Sequence, residues 1–138
     1  MLKRKGFTLI EIMVVLVIIG TLAALAWPNY MAIKEKSLNR EAQASLALIR
    51  AAEKIYGMEG GFYYPPGATT SNIALINTNL RLSLPESASA SWAISLDATG
   101  GGSADATRQG GGGADGRVWS INFPGGADPT CSGGTYCP

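Results

Sequence analysis

Residues 7–27 contain one charged side chain, Glu11. The run from Ile12 to Ile19 is unbroken apolar, and after Gly20 and Thr21 it resumes from Leu22 to Trp27. As a helix these 21 residues rise about 32 Å, close to the ~30 Å hydrocarbon core of a bilayer. Lys3, Arg4 and Lys5 precede the run with no acid among them, and Pro28 stands at its far end. The expectation is a single membrane crossing with the N-terminus in the cytoplasm and the rest exported, because basic residues stay on the cytoplasmic side.

Composition narrows the function. The chain has 138 residues, enough for one domain plus an appendage, and only 15% of them are charged. There is no histidine, which excludes a Ser-His-Asp triad, a Cys-His pair and a histidine zinc site. Two cysteines alone do not make a zinc site of the usual kind. The formal net charge of +1 gives no broad basic surface for a nucleic acid. It is also a property of the first six residues: they hold three of the 11 basic side chains and none of the 10 acids, so the remainder is mildly acidic. No base, nucleophile and oxyanion site converge. The expectation is therefore no enzyme, no catalytic residue and no cofactor.

Three readings fit the N-terminus. A secretory signal peptide would end at Ala24-Leu25-Ala26 and release a monomeric binding module. A plain uncleaved anchor is the second. The third uses Glu11, since a carboxylate in an apolar span is costly and normally has a partner or a task. Snorkelling to the headgroups is the bland account of it. A cut after Gly6 would create an α-amine on Phe7, one helical turn from Glu11. The same pair could form between neighbouring chains staggered along a filament.

Gly6-Phe7-Thr8-Leu9-Ile10-Glu11, then the apolar run and Pro28, resembles the signal of type IV prepilins and type II secretion pseudopilins. The resemblance is close over residues 3–30. It implies that a prepilin peptidase cuts after Gly6, that Phe7 becomes N-methylated, and that Glu11 neutralises the Phe7 amine of an adjacent subunit. It also implies a helical homo-oligomer built on an inner-membrane assembly platform. The subunit would wait in membrane lipid as a single-pass protein, then join a cell-surface or periplasm-spanning filament. A type IV pilus subunit is the leading function and a major pseudopilin the alternative.

The implied organisation is a leader (1–6), a transmembrane and polymerisation helix (7–28) and a head (29–138). The fold class is α+β and pilin-like: one long helix, half membrane-spanning and half amphipathic, packed on an antiparallel sheet of about three strands. Within the head, residues 29–56 read as an amphipathic helix. Leu38, Ala42, Leu46, Ile49, Ala52 and Tyr56 recur three or four apart, with Lys36, Arg40, Gln43, Arg50 and Lys54 on the other face. Pro28 should break or kink the helix, and Gly57 is a natural stop. Continuous from Phe7, it would reach about 75 Å.

Residues 57–90 read as a connecting region. Thr70 or Ser71 could cap a short helix carrying Ile73, Ile76 and Leu80. Residues 91–138 read as β. Trp92, Ile94 and Leu96 alternate with small residues, as do Trp119, Ile121 and Phe123. Between them Ser103–Gln109 is either a middle strand or a flexible loop. The Gly100-Gly101-Gly102 and Gly110–Gly113 runs lack the Lys-Ser/Thr and helix of a phosphate loop.

Cys131 and Cys137 are the only cysteines. In an exported chain they suggest a disulfide pinning the tail, with two free thiols as the alternative. Asp97, Asp105, Asp115 and Asp128 all lie in the last third. Some major pseudopilins bind calcium in a C-terminal loop, which makes these acids weak calcium candidates. Calcium needs six to eight oxygens, and no compact ligand string occurs, so solvated loop acids and no metal are expected.

Overall fold

The three-and-four spacing of apolar residues produces one helix, α1, from Leu9 to Gly60. The computed structural model describes residues 6–86, 90–110 and 115–138. The chain divides into two compact units, residues 1–34 and 35–138.

In the first unit every side chain from Gly6 to Tyr30 is exposed. This part of α1 is long and apolar enough to cross a membrane, and none of its apolar window is buried. The helix runs through Pro28 rather than breaking there. Proline removes one N–H from the ladder, and here the helix continues past that single loss.

In the second unit α1 buries Glu35, Asn39, Ala42, Leu46, Ile49 and Glu53. These steps of four and three residues keep one stripe on one face. The helix passes Gly57 and stops at Gly60, four residues beyond the expected end at Tyr56. A glycine weakens a helix without compelling it to end. The left-handed position falls to Gly61, with φ 76°, whose N–H reaches the Gly57 carbonyl at 2.8 Å.

A second helix, α2, spans Ile73–Leu80. Its cap is Asn72, not Thr70 or Ser71: Asn72 Oδ1 accepts the Leu75 N–H at 3.2 Å. It buries Ile76 and Leu80 and closes at Arg81, φ 54°.

The sheet has five antiparallel strands in sequence order. These are β1 (Thr69–Thr70), β2 (Trp92–Asp97), β3 (Ser103–Arg108), β4 (Val118–Asn122) and β5 (Thr130–Ser132). The three long strands are the expected meander, with the middle one realised as β3. The two additional edge strands, of two and three residues, are too short to show a period of two in sequence.

Register places Ala106 between Ile94 and Trp119, and Ala104 between Leu96 and Ile121. The inward side chains join Ala42, Leu46, Ile49, Ile76, Leu80 and Phe123 in one core. Burying each large apolar side chain contributes about 1.5–3 kcal/mol. Both core indoles find acceptors on α1: Trp92 Nε1 donates to the Leu38 carbonyl at 3.0 Å, and Trp119 Nε1 to Asn39 Oδ1 at 3.3 Å.

Candidate functional site

The N-terminal end of α1 is built by a reciprocal cap. Thr8 precedes the first helical residue, and Glu11 is the third residue of the helix. The Glu11 N–H donates to Thr8 Oγ1 at 3.3 Å, while the Thr8 N–H and hydroxyl both donate to Glu11 Oε2 at 3.2 Å. This is a capping box, encoded by Thr8-x-x-Glu11. In the uncleaved chain the Glu11 carboxylate thus has a local partner. Gly6 and Phe7 precede the helix, and Phe7 is 82% exposed. The basic residues of the leader lie outside the described residues. The other polar group of the span, Thr21, donates its hydroxyl to the Ile18 carbonyl at 2.9 Å. Ala24, Leu25 and Ala26, the alternative cleavage site, lie inside α1.

The second unit holds a charged cluster that hydropathy reading passed over. Glu35 is 1% exposed and pairs with two arginines. Arg108 approaches it at 3.3 Å through Nε and Nη2, and Arg117 Nη2 donates to Glu35 Oε2. Arg117 also meets Asp115 at 3.3 Å. Its guanidinium lies over the rings of Trp92 and Tyr136, at 5.3 and 5.5 Å. Burial pushes the Glu35 carboxyl up, but the hydrogen bonds and charges of Arg108 and Arg117 outweigh this and hold it below the ordinary value.

The far end of the same stripe behaves oppositely. Glu53 is fully buried, Oε2 accepts the Tyr64 N–H at 2.8 Å, and among the described residues Oε1 has no partner. Burial pushes this carboxyl up to about 7, and the single N–H only partly offsets it. The nearby aromatics divide by burial: Tyr64 packs edge-on to Tyr56, Tyr63 packs on Phe123, and Phe62 stays half exposed.

Cys131 and Cys137 are disulfide-bonded, with Cα atoms 5.6 Å apart. The tail they close is held by side chains as well. Asp115 Oδ2 accepts the Thr135 N–H at 2.8 Å, and Asn39 Nδ2 donates to the Tyr136 carbonyl at 2.8 Å. Gly134, φ 76°, makes this approach possible, since a Cβ there would meet Asp115 Oδ2 at 2.5 Å.

The four calcium candidates are not brought together. Among the described residues no three acidic or cysteine side chains form a metal-binding group. Asp97 binds the N–H and hydroxyl of Thr99, and Asp115 binds Arg117 and the tail. Asp105 sits on the outer face of β3 between Ser95 and Ser120, and Asp128 is exposed in the loop before β5.

Residues 1–27 match the prokaryotic N-terminal methylation motif. Over 61 residues the chain is 44% identical to type II secretion system core protein G of Escherichia coli, covering 44% of this chain and 42% of that protein. It is 41% identical over 61 residues to the type IV major pilin protein PilA of Myxococcus xanthus, covering 44% and 28%. With type II secretion system core protein G of Aeromonas hydrophila it shares 37% over 75 residues, covering 54% and 51%. The matched stretches thus span about half or less of these relatives. The methylation motif over residues 1–27 and these partial matches make the chain similar to type II secretion core proteins and type IV pilins, a likeness with which its long N-terminal helix and antiparallel sheet agree.

Proposed function

We propose that the chain is a structural, non-catalytic subunit of a type IV pilus. It is made as a prepilin, cut after Gly6 by a prepilin peptidase, N-methylated at Phe7 and polymerised from an inner-membrane platform. The observation that carries this reading is the first unit, exposed at every residue from Gly6 to Tyr30 and apolar over nearly all of that length. Such a surface cannot stand in water. It is covered by lipid before assembly and by neighbouring copies afterwards, at about 1.5–3 kcal/mol per large side chain. Removal of the leader frees the Phe7 amine, which draws Glu11 of a neighbouring copy away from its Thr8 cap. Only a copy in register supplies that charge, because leaving a buried carboxylate unpaired costs about 3–5 kcal/mol.

The experiment is the mature N-terminus, read by intact mass and terminal sequencing of protein from its native host. The expected start is methylated Phe7. A start at Trp27 would sink the filament reading, since the polymerisation helix would be gone. A second reading, a pseudopilin of a type II secretion system, is favoured by the similarity to core protein G in two of the organisms named above. Deletion separates the two: loss of surface filaments supports the pilus, and loss of protein export with filaments intact supports the pseudopilus.

A further inference from the structure

Lys34-Glu35-Lys36 alternates in charge, and with Arg40 and Glu41 the segment carries three cations and two acids. The fold changes that balance. Glu35 is withdrawn into the interior, where Arg108 and Arg117 take its charge, while Lys34, Lys36, Arg40 and Glu41 remain exposed. Three cations and one acid are left at the surface. Among the described residues, none of the three cations is in an ion pair.

We propose that Lys34, Lys36 and Arg40 form a contact for anionic phospholipid headgroups on the side of the membrane opposite the leader. The contact rests on the membrane-spanning reading of residues 7–27. Trp27 and Tyr30 end the apolar run, and both are well exposed, at 70% and 62%. Amphipathic rings at the end of a span sit at headgroup level. Lys34 and Lys36 follow Trp27 by seven and nine residues, about 10 and 14 Å of helix. A lysine stem spans much of that gap while its ammonium reaches for phosphate. Arg40, about 20 Å along, is carried by the reach of its side chain to roughly one Debye length from the headgroups, where its charge still acts. Basic clusters beside a span are attracted to anionic lipid in this way. The withdrawal of Glu35 raises the surplus of cations at the surface from one to two and strengthens the attraction. It also leaves each cation free of an internal partner that would have to be given up first.

The test uses the full chain reconstituted in phosphatidylcholine vesicles containing phosphatidylglycerol. Spin-labelled phosphatidylglycerol and spin-labelled phosphatidylcholine report which lipid the protein retains at its boundary. The expected result at low salt is a preference for phosphatidylglycerol of about threefold or more. It falls towards unity at high salt and in the triple variant K34Q/K36Q/R40Q. Glu41→Gln strengthens it. Glu35→Gln, checked for folding by near-ultraviolet circular dichroism, leaves it unchanged because that charge is not at the surface. Loss of the chain from vesicles on alkaline extraction would overturn the membrane span and the contact with it. Resistance to extraction without any headgroup preference would overturn the contact alone. A preference that survives in the triple variant, combined with loss of filaments in the host, would assign the three cations to acids of a second copy instead.

Discussion

Asp115 Oδ2 accepts the backbone N–H of Tyr136 at 3.2 Å, so a side chain 21 residues upstream grips the disulfide-closed tail. The same oxygen binds the Thr135 N–H. Backbone N–H groups on a carboxylate favour its charged form. Burial acts the other way on Asp115, and the three N–H groups with Arg117 prevail, holding it below the ordinary range. The tail is therefore docked by two independent means. Replacing Cys131 and Cys137 by serine is expected to cost about 2 kcal/mol, the loop-closure value for so short a ring. The Thr135 and Tyr136 amides should stay protected from hydrogen exchange. Asp115→Ala should expose both amides with the disulfide intact. Protection that tracks the cysteines rather than Asp115 would show the carboxylate to be incidental.

The two buried carboxylates of α1 predict a stability maximum in mild acid. Unfolded Glu53 loses its proton near 4.5, whereas the folded chain holds it to about 7. The folded state binds the extra proton, so stability falls as pH rises through that interval. Glu35 works the other way. Its folded value is lowered, so its contribution is present above the ordinary pKa and is lost as pH falls through the folded one. Glu53→Gln should remove the decline on the neutral side, a gain on the order of 2 kcal/mol at pH 8. It should leave the acid side alone. Glu35→Gln should flatten the acid side instead. Denaturant unfolding in detergent, followed by near-ultraviolet circular dichroism from about pH 2 to pH 8, reads both.

Truncation inside the ion cluster should cost far more than neutral replacement of all of it. Glu35→Ala leaves Arg108 and Arg117 buried without their shared acid, a loss of about 3–5 kcal/mol. Replacing Glu35, Arg108 and Arg117 together by methionine should bring the stability back close to that of the parent, because the desolvation cost disappears with the charges. Equal losses from the single and triple replacements would mean that the cluster acts through packing alone.

Gly102 is expected to accept no side chain. Its φ is 86°, and a Cβ there would lie 2.5 Å from Phe123 Cδ2 and 2.8 Å from Tyr63 Cδ2. These two rings already pack edge-to-face with centroids 5.2 Å apart. Gly102→Ala combines backbone strain with overpacking, about 2–3 kcal/mol. Gly101→Ala, with open space at the same point, carries only the strain. The thermal midpoints of the two variants measure the difference.

Much of this fold was legible beforehand. Ala42, Leu46 and Ile49 set the helical stripe, and Trp92, Ile94 and Leu96 alternate as a strand with one buried face. The N-terminal motif was legible because its meaning lies in adjacent residues. The buried polar groups were missed because hydropathy assigns charged residues to the wet face. Yet Glu35, Asn39 and Glu53 continue the stripe of Ala42, Leu46 and Ile49 at the same spacing. Arg108 likewise extends the inward phase of Ala104 and Ala106, and Arg117 that of Trp119 and Ile121. Phase, rather than polarity, was the available signal. The pairing itself joins residues 73 and 82 apart in the chain, a distance no local pattern encodes. The Thr8-x-x-Glu11 cap was readable and was obscured by the attention Glu11 draws as a lone charge in an apolar run.

The two carboxylates of the stripe have a joint mechanical consequence. Glu35 and Glu53 stand 18 residues apart on one helix, five turns or about 27 Å. One is received by Arg108 at the end of β3 and Arg117 just before β4, the other by the backbone of Tyr64 beyond the helix. A slide of one turn would bring Leu46 into the place of Ile49 with little change of shape, but would leave Ala42 in the place of Leu46 and a cavity beside it. The carboxylates would lose more. A slide would strand both at once, in opposite corners of the head. Together they act as index marks on a shaft, so a pull on the helix at Glu35 reaches the sheet without slippage.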